Sequence, residues 1–272
     1  MNEIDRIHLV TIQSVPRSGS SWLGQIFKSS PRVEFRFQPL FSYAFKGAVR
    51  ENTGREEILK FFSEILSTTD HFILQRDAYH VEYPDLAERN AVTHLVMKEV
   101  RYNHVVRNML HQLPELRLIG LVRHPCAVLD SWFNAPREFS KKWSIDEEWR
   151  SGALKNQRRP EEYFGFDKWK EVASLFMALK KEFPGQVHIV QYCDLNDDTE
   201  VTVKSLFNFC GLEYGSETAT FIEESKSKQG SDANSIYRLA RRDDSWKSRL
   251  PDRIAREVES ELSGTPLEQF LR

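Results

Sequence analysis

Short apolar runs and stretches with helical spacing follow one another along the chain. Residues 7–15 are rich in apolar and β-branched side chains, and this run stops at Pro16. From residue 20 to residue 27 the apolar side chains recur at the spacing of a helix instead. The chain is therefore predicted to begin with a strand, a tight loop and a helix.

Similar pairs of elements recur further along the chain. Further runs typical of strands lie at residues 94–98, 116–122 and 186–192. Helical spacing is found at residues 56–66, 105–113 and 168–183. Strands that alternate with helices predict an α/β fold of three layers, with a mostly parallel central sheet flanked by helices. The ligand site of such a sheet lies at the carboxyl ends of its strands.

Residues 135–165 break this pattern, because they are dense in charged and aromatic side chains and lack a clean period. The segment is too long for an ordinary connection. Gly152, Pro160 and Gly165 provide turn or hinge points. We expect a single domain over residues 1–272, in which residues 135–165 form a lid or insertion over the site.

The amino-acid composition argues against several classes of protein. The 38 Lys and Arg residues nearly balance the 40 Asp and Glu residues, which argues against a general binder of nucleic acids or membrane surfaces. The three cysteines form no CxxC pair, so neither a disulfide framework nor a zinc site is expected. The acidic N-terminus does not resemble a signal peptide, and no apolar stretch approaches the roughly 20 residues of a membrane span. A cytoplasmic protein is expected.

The first motif with chemical meaning lies between the first strand and its helix, and reads Val15-Pro16-Arg17-Ser18-Gly19-Ser20-Ser21-Trp22. Glycine permits a tight backbone, and successive N–H groups, serine hydroxyls and a helix N-terminus can all converge on an anion. This combination predicts a P-loop-like phosphate cradle. A Walker loop would need Gly-Lys after the glycine and a metal-holding Asp on a later strand. Both are missing, so no metal is expected.

A second motif reads Leu121-Val122-Arg123-His124-Pro125 and is followed by a helical stretch that contains Ser131. Proline is well placed in the first turn of a helix. Arg123 is then expected directly after the end of a strand, and Ser131 about two turns into the next helix. The pair can hold a second anion.

Together these motifs resemble those of the sulfotransferases that use 3′-phosphoadenosine 5′-phosphosulfate (PAPS) and release 3′-phosphoadenosine 5′-phosphate (PAP), in particular their carbohydrate-type and bacterial branches. The resemblance implies that residues 17–21 face the 5′-phosphosulfate, with Arg17 near the transferred group. It further implies that Trp22 stacks on adenine, that Arg123 and Ser131 hold the 3′-phosphate, and that Lys98 lies near the sulfuryl group. Arg241-Arg242, before Trp246-Lys247, is similar to a basic stretch that also contacts the 3′-phosphate.

The sequence departs from this family at the residue expected to act as general base, the group that removes the proton of the acceptor. Related proteins commonly place a glutamate directly before Pro-Leu, whereas this chain has Gln38-Pro39-Leu40. An amide orients an acceptor by hydrogen bonds but cannot take its proton. Val100 stands where cytosolic relatives have a histidine base. The remaining possible bases are Glu34, Glu99, His104 and His124.

The resemblance implies an enzyme that transfers the sulfuryl group of PAPS to a hydroxyl or amine of a small-molecule acceptor, with Arg17, Lys98 and Gln38 at the reacting atoms. We favour the hydroxyl, because O-sulfation is the commoner chemistry in the families resembled. Two alternatives remain open at this point: a P-loop small-molecule kinase, and a non-catalytic PAP- or PAPS-binding protein. The sequence does not identify the acceptor or the oligomeric state.

Overall fold

The computed structural model describes residues 3–76, 92–227 and 243–272. Its strands form one sheet in the order β2-β3-β1-β4-β5, and every neighbouring pair runs parallel, as the alternating pattern predicts. The strands are β1 His8–Gln13, β2 Val33–Phe37, β3 His94–Glu99, β4 Arg117–Val122 and β5 Val187–Gln191.

Helices connect and cover these strands. In chain order they are α1 Ser20–Lys28, α2 Arg55–Leu66, α3 His71–Leu74, α4 Val106–Gln112, α5 Pro125–Phe133, α6 Ile145–Ser151, α7 Ala153–Asn156, α8 Phe166–Glu182, α9 Tyr192–Asp197, α10 Thr199–Cys210, α11 Ser216–Ser227 and α12 Asp252–Leu262. Short 3-10 turns lie at Glu3–Arg6, Pro39–Phe41, Asn103–Val105, Ser245–Ser248 and Pro266–Phe270. The predicted helices 20–27, 56–66, 105–113 and 168–183 are all confirmed within two residues.

The three layers follow from the alternation of side chains along each strand. Leu95 and Met97 of β3 pack with α2 and α4 on one face of the sheet. Val96, between them, packs with α1, α10 and α11 on the other face. Because successive strand residues point to opposite faces, apolar residues on both sides require helices on both sides. The predicted fold class is confirmed.

Among the five strands of the described sheet, β2 is the one that the sequence analysis did not predict. It is five residues long and carries Glu34 and Arg36 in its middle, so it does not show the apolar run of the other strands. Arg36 is nevertheless buried, because it pairs with Glu34 at 2.7 Å and donates to the backbone carbonyl of Ile65 at the end of α2. Its hydrogen bonds satisfy a buried charge that composition alone would place at the surface.

Residues 135–165 contain α6 and α7 and extend from the sheet between α5 and α8. Their aromatic side chains Phe139, Trp149, Tyr163 and Phe164 are buried in one cluster with residues of α5, α8 and α12. The segment is thus anchored by its aromatic residues, and its role as a lid stays a prediction. Among the described residues, no helix combines the length and apolar character needed to cross a membrane.

Candidate active site

The parallel strands bring the predicted site residues to one edge of the sheet. Gln13 of β1 pairs in register with Glu99 of β3, and Phe37 of β2 pairs with Lys98. On the other side of β1, Val122 of β4 pairs with Gln191 of β5. The loop after β1, the turn after β2 and the motif after β4 therefore leave the sheet at the same edge, where a parallel α/β sheet binds its ligands.

The loop between β1 and α1 is built around Gly19, whose φ is +90°. A Cβ atom at this position would lie 2.4 Å from Cε2 of Tyr192, the first residue of α9. Only glycine fits both the left-handed backbone and this close approach. Gly19 also caps α1 without any side-chain hydrogen bond, which leaves the positive end of the helix facing the loop.

The loop serines differ in exposure. Ser18 is fully buried and its Oγ has no hydrogen-bond partner, whereas Ser20 is buried at the start of α1 and Ser21 is partly exposed. A buried hydroxyl without a partner costs roughly 1–3 kcal/mol. An anion bound in the loop would supply that partner, so these residues fit the predicted cradle for a phosphosulfate.

The two motifs meet at Arg17. Its Nε donates a hydrogen bond to Ser131 Oγ of α5 at 3.1 Å, and its carbonyl oxygen accepts one from Arg123 Nη1 at 2.8 Å. Arg17 has a φ of +71°, a left-handed conformation that a non-glycine residue rarely adopts. The structure brings together the residues that the sequence placed in separate motifs, and it links Ser131 to Arg17.

Arg123 has a partner that the sequence did not indicate. Asp243 accepts from Nε of Arg123 at 2.8 Å and from a second guanidinium nitrogen, and the two side chains are only 10% and 17% exposed. The ring of Tyr192 stacks under the same guanidinium at 4.8 Å. Asp243 lies 120 positions away from Arg123, directly after Arg241-Arg242 in the basic stretch noted above, and that resemblance did not indicate a carboxylate that pairs with Arg123.

Three other expectations concern residues around the predicted nucleotide site. Trp22 is half-buried and its indole Nε1 donates to Ser225 Oγ of α11 at 3.0 Å, which fixes the ring. His124, considered above as a possible base, caps α5 by accepting from the Cys126 N–H at 3.2 Å. Arg241 and Arg242 lie outside the described residues.

Lys98, the penultimate residue of β3, is 3% exposed, and its ammonium lies 4.5 Å from the centre of the Phe37 ring. Burial lowers the pKa of Lys98 to about 7, with smaller opposing contributions from Glu99 and Glu138 and a further lowering by Arg101 and Arg17. The charge of Arg17 therefore acts directly on the ammonium of Lys98. An anion bound beside it would restore its charge.

Gln38 occupies a turn that is held to the end of β3. Its backbone N–H donates to the Lys98 carbonyl at 2.8 Å, and the N–H of Leu40 donates to Glu99 Oε1, also at 2.8 Å. Its side-chain Oε1 accepts from Arg101 Nη1 at 3.2 Å. Gln38 and Lys98 are therefore neighbours, as the resemblance implies.

Most of the bases considered from the sequence have other partners in the structure. Glu34 pairs with Arg36, and His124 caps a helix. His104 Nδ1 lies 3.3 Å from the hydroxyl of Tyr163. Glu99 is fully buried, and burial raises its pKa to about 8, so its carboxyl is largely protonated near neutral pH.

Glu138, which the sequence analysis did not single out, is a further carboxylate in this region. It lies in the segment after α5, and its charge acts on Lys98. Its Oε2 is buried and has no hydrogen-bond partner. The only sequence signal was its place shortly after the second motif, within residues 135–165.

A parallel sheet with a glycine-containing loop and two arginines at its carboxyl edge is an arrangement typical of α/β proteins that bind phosphate groups. Residues 10–216 match the model of the Sulfotransferase family, and the chain belongs to that family. The predicted sulfotransferase is thereby confirmed, and the kinase alternative is set aside. No curated protein matches the chain.

Solved structures of low sequence identity share the fold. Mouse sulfotransferase SULT7A1 complexed with PAP is 14% identical with a TM-score of 0.60, over 98% of this chain and 91% of that chain. The sulfotransferase domain from the Synechococcus PCC 7002 olefin synthase is 18% identical with a TM-score of 0.51, over 95% of each chain. Retinol dehydratase in a complex with retinol and PAP is 15% identical with a TM-score of 0.53, over 96% of this chain and 83% of that one.

Proposed function

We propose that this protein transfers the sulfuryl group of PAPS, in line, to a hydroxyl or amine of a small-molecule acceptor held at the carboxyl edge of the sheet. The sulfotransferase activity follows from the family, and PAP-bound structures share its fold. The observation that carries the site assignment is the meeting of the two anion motifs, in which Arg17 contacts both Ser131 and Arg123.

Each part of the donor has residues that suit it. Residues 17–21 and the N-terminus of α1 would hold the 5′-phosphosulfate, where the buried hydroxyl of Ser18 lacks a partner. Arg123, together with Ser131, would hold the 3′-phosphate. Trp22, fixed by its bond to Ser225, would offer its ring to adenine.

During transfer, a bond forms between the acceptor atom and sulfur while the bond from sulfur to the bridging oxygen breaks. The electron pair of the broken bond stays on that oxygen, and PAP leaves. Arg17 and Lys98 are the cations placed to stabilise this developing charge, and such a contact is typically worth on the order of 100-fold in rate. The remaining task is to hold the acceptor in line.

The proton of a hydroxyl acceptor needs a destination. Gln38 cannot take it, and Glu99 is already largely protonated and bonded to the Leu40 N–H. Glu138 has a buried carboxylate oxygen without a partner and acts on the same lysine. We assign Glu138 as the general base, from which the proton passes to solvent.

Binding and product formation test the proposal separately. PAP should bind without Mg²⁺, and ATP with Mg²⁺ should not compete. Incubation with PAPS and a panel of metabolites should form PAP together with a product whose mass increases by one sulfonate. Formation of no PAP with any acceptor, although PAP binds, would support the non-catalytic alternative.

A further inference from the structure

A buried arginine outside both motifs, Arg101, contacts the side chain of Gln38. Arg101 donates from Nη1 to Gln38 Oε1 at 3.2 Å and from Nε to Glu162 Oε2 at 3.0 Å. The side chains of Arg101 and Glu162 are only 9% and 7% exposed. The guanidinium also lies 4.2 Å from the centre of the Phe41 ring. Ring, carboxylate and amide thus hold the arginine in one orientation.

The backbone of Gln38 is held as firmly as its carboxamide oxygen. The Lys98 carbonyl accepts its N–H, and the Glu99 carboxyl accepts the N–H two residues further on. Residues 98, 99 and 101 therefore all hold the turn, which has a left-handed φ of +43° at Gln38. Little freedom is left for the amide group to reorient.

The orientation of the carboxamide follows from the chemistry of arginine. A guanidinium has only hydrogen-bond donors, so the group it contacts must be the amide oxygen. The amide nitrogen, with its two N–H donors, is then the polar end left for another partner. We propose that Arg101 is a positioning residue that makes Gln38 a hydrogen-bond donor toward the acceptor, and that the acceptor is consequently a hydroxyl. The proposal rests on the proposed function and on the place beside the acceptor that the family resemblance implies for Gln38.

The preference for a hydroxyl comes from counting lone pairs. A hydroxyl oxygen has two, so it can accept an N–H bond with one and attack sulfur with the other. A neutral amine nitrogen has one, which an N–H donor would occupy and so withhold from sulfur. As the proton moves from the hydroxyl to Glu138, the oxygen also gains negative charge that the amide N–H groups stabilise.

The test uses pairs of phenols and anilines with identical ring substituents, added to the metabolite panel, because both members of a pair are uncharged near neutral pH. With PAPS, the wild type should form sulfate esters and sulfate the nitrogen of the paired amine at least about tenfold more slowly. Arg101→Met should lower kcat for hydroxyl acceptors about tenfold, the worth of one well-placed hydrogen bond. It should also reduce the preference for hydroxyl over amine, with PAP affinity unchanged.

Two further variants separate positioning from a general loss of structure. Arg101→Lys retains a donor for Gln38 and should restore part of kcat. Glu162→Gln removes a charge from the same cluster but not the contact to Gln38, so it should keep the hydroxyl preference. The proposal would be overturned if the wild type formed N-sulfated products in preference to esters. It would also be overturned if Arg101→Met and Glu162→Gln lost the preference for hydroxyl over amine to the same extent.

Substitution of Gln38 distinguishes two roles. If Gln38 is a hydrogen-bond donor, Gln38→Glu should lower the rate, whereas if it only stands in the place of a lost general base, Gln38→Glu should raise it. Gln38→Glu replaces the N–H donors with an acceptor and should lower the rate, as should Gln38→Ala. A rate that rises in Gln38→Glu would contradict a donor role.

One measurement needs no acceptor. The side-chain amide resonances of Gln38 in ¹⁵N–¹H spectra of the PAP-loaded protein should shift in Arg101→Met, and no response would show that the contact is not made. Absence of PAP binding by the wild type would instead refute the proposed function, so the two failures are distinct.

Discussion

Asp243 neutralises Arg123 through two hydrogen bonds, at the place where the second motif is expected to hold the 3′-phosphate. Carboxylate and phosphate are alternative partners for the same fork of donors. A bound nucleotide must therefore displace this carboxylate or share the guanidinium with it against electrostatic repulsion. Binding of PAP should be weaker than the count of its cationic contacts suggests.

Replacing Asp243 by Asn tests this competition. The substitution keeps a hydrogen-bond acceptor for Arg123 but removes the repelling charge, so PAP affinity measured by calorimetry should rise about tenfold, or ~1.4 kcal/mol. Asp244→Asn is the matched control, because that neighbouring side chain is exposed and should leave the affinity unchanged. A lower affinity in Asp243→Asn would mean that Asp243 serves to orient Arg123 for the phosphate.

Replacing each of the two arginines of the anion motifs by alanine should affect binding and catalysis differently. Arg123→Ala should weaken PAP binding with a rate loss that binding accounts for. Arg17→Ala should weaken binding and also lower kcat by on the order of 100-fold, because charge develops beside it only in the transition state. Steady-state rates and calorimetry check both, with Arg107→Ala, in an exposed pair with Glu182, as the control. Unchanged PAP affinity in Arg123→Ala would refute its assignment to the 3′-phosphate.

Nucleotide binding should take up protons through Lys98. Burial lowers the pKa of Lys98 to about 7, and the negative charge of bound PAP raises it again. PAP therefore binds best where Lys98 is already charged, and its affinity should fall as the pH rises from about 7 towards 9.

Calorimetry in two buffers of different ionisation enthalpy measures this uptake directly. Glu99, whose pKa burial raises to about 8, also titrates in this range, so the comparison is made with Lys98→Met. An uptake that persists in Lys98→Met would assign it to another group.

Loss of the proposed base should affect the chemical step alone. General base catalysis typically contributes 10²–10⁴-fold, so Glu138→Gln should lower kcat with a hydroxyl acceptor at least about 100-fold. PAP affinity should not fall, because the substitution removes a negative charge near Lys98. Glu147→Gln, an exposed glutamate of the same segment, is the control. A variant that keeps more than a tenth of the rate would exclude Glu138 as the base.

The predicted lid can be followed by hydrogen exchange. Amides of residues 135–165 should exchange faster in the free protein than with PAP and acceptor bound, with the slowest exchange around buried Trp149 of α6. Strong protection of the entire segment before any ligand is added would contradict a mobile lid.

Local patterns predicted well those features that local residues determine. The cradle around Gly19 and the helix that begins at Pro125 are recognisable because backbone conformation there follows from a few neighbouring residues. The parallel sheet was predicted because β1, β3, β4 and β5 are rich in apolar residues, whereas β2 contains a buried arginine, Arg36, that donates to backbone carbonyls at the end of α2. Tertiary contacts override local pattern at that strand.

The candidate site was predictable only in part for the same reason. The sequence indicates which residue types bind phosphate, but not that Asp243 reaches Arg123 or that Arg101 reaches Gln38. Both contacts join positions more than 60 residues apart, and neither belongs to a spacing that a motif describes. Glu138 likewise becomes relevant only when the fold brings its charge near Lys98.

The contact between Gly19 and Tyr192 makes positions 19 and 192 a compatibility pair for protein engineering. A loop grafted from another protein can carry a larger residue at position 19. The ring of Tyr192, at the start of α9, already occupies the space that such a residue would need. A grafted loop with a larger residue at position 19 would displace this ring from beneath Arg123. Successful chimaeras would therefore have to transfer both positions together, although they lie at distant points of the chain.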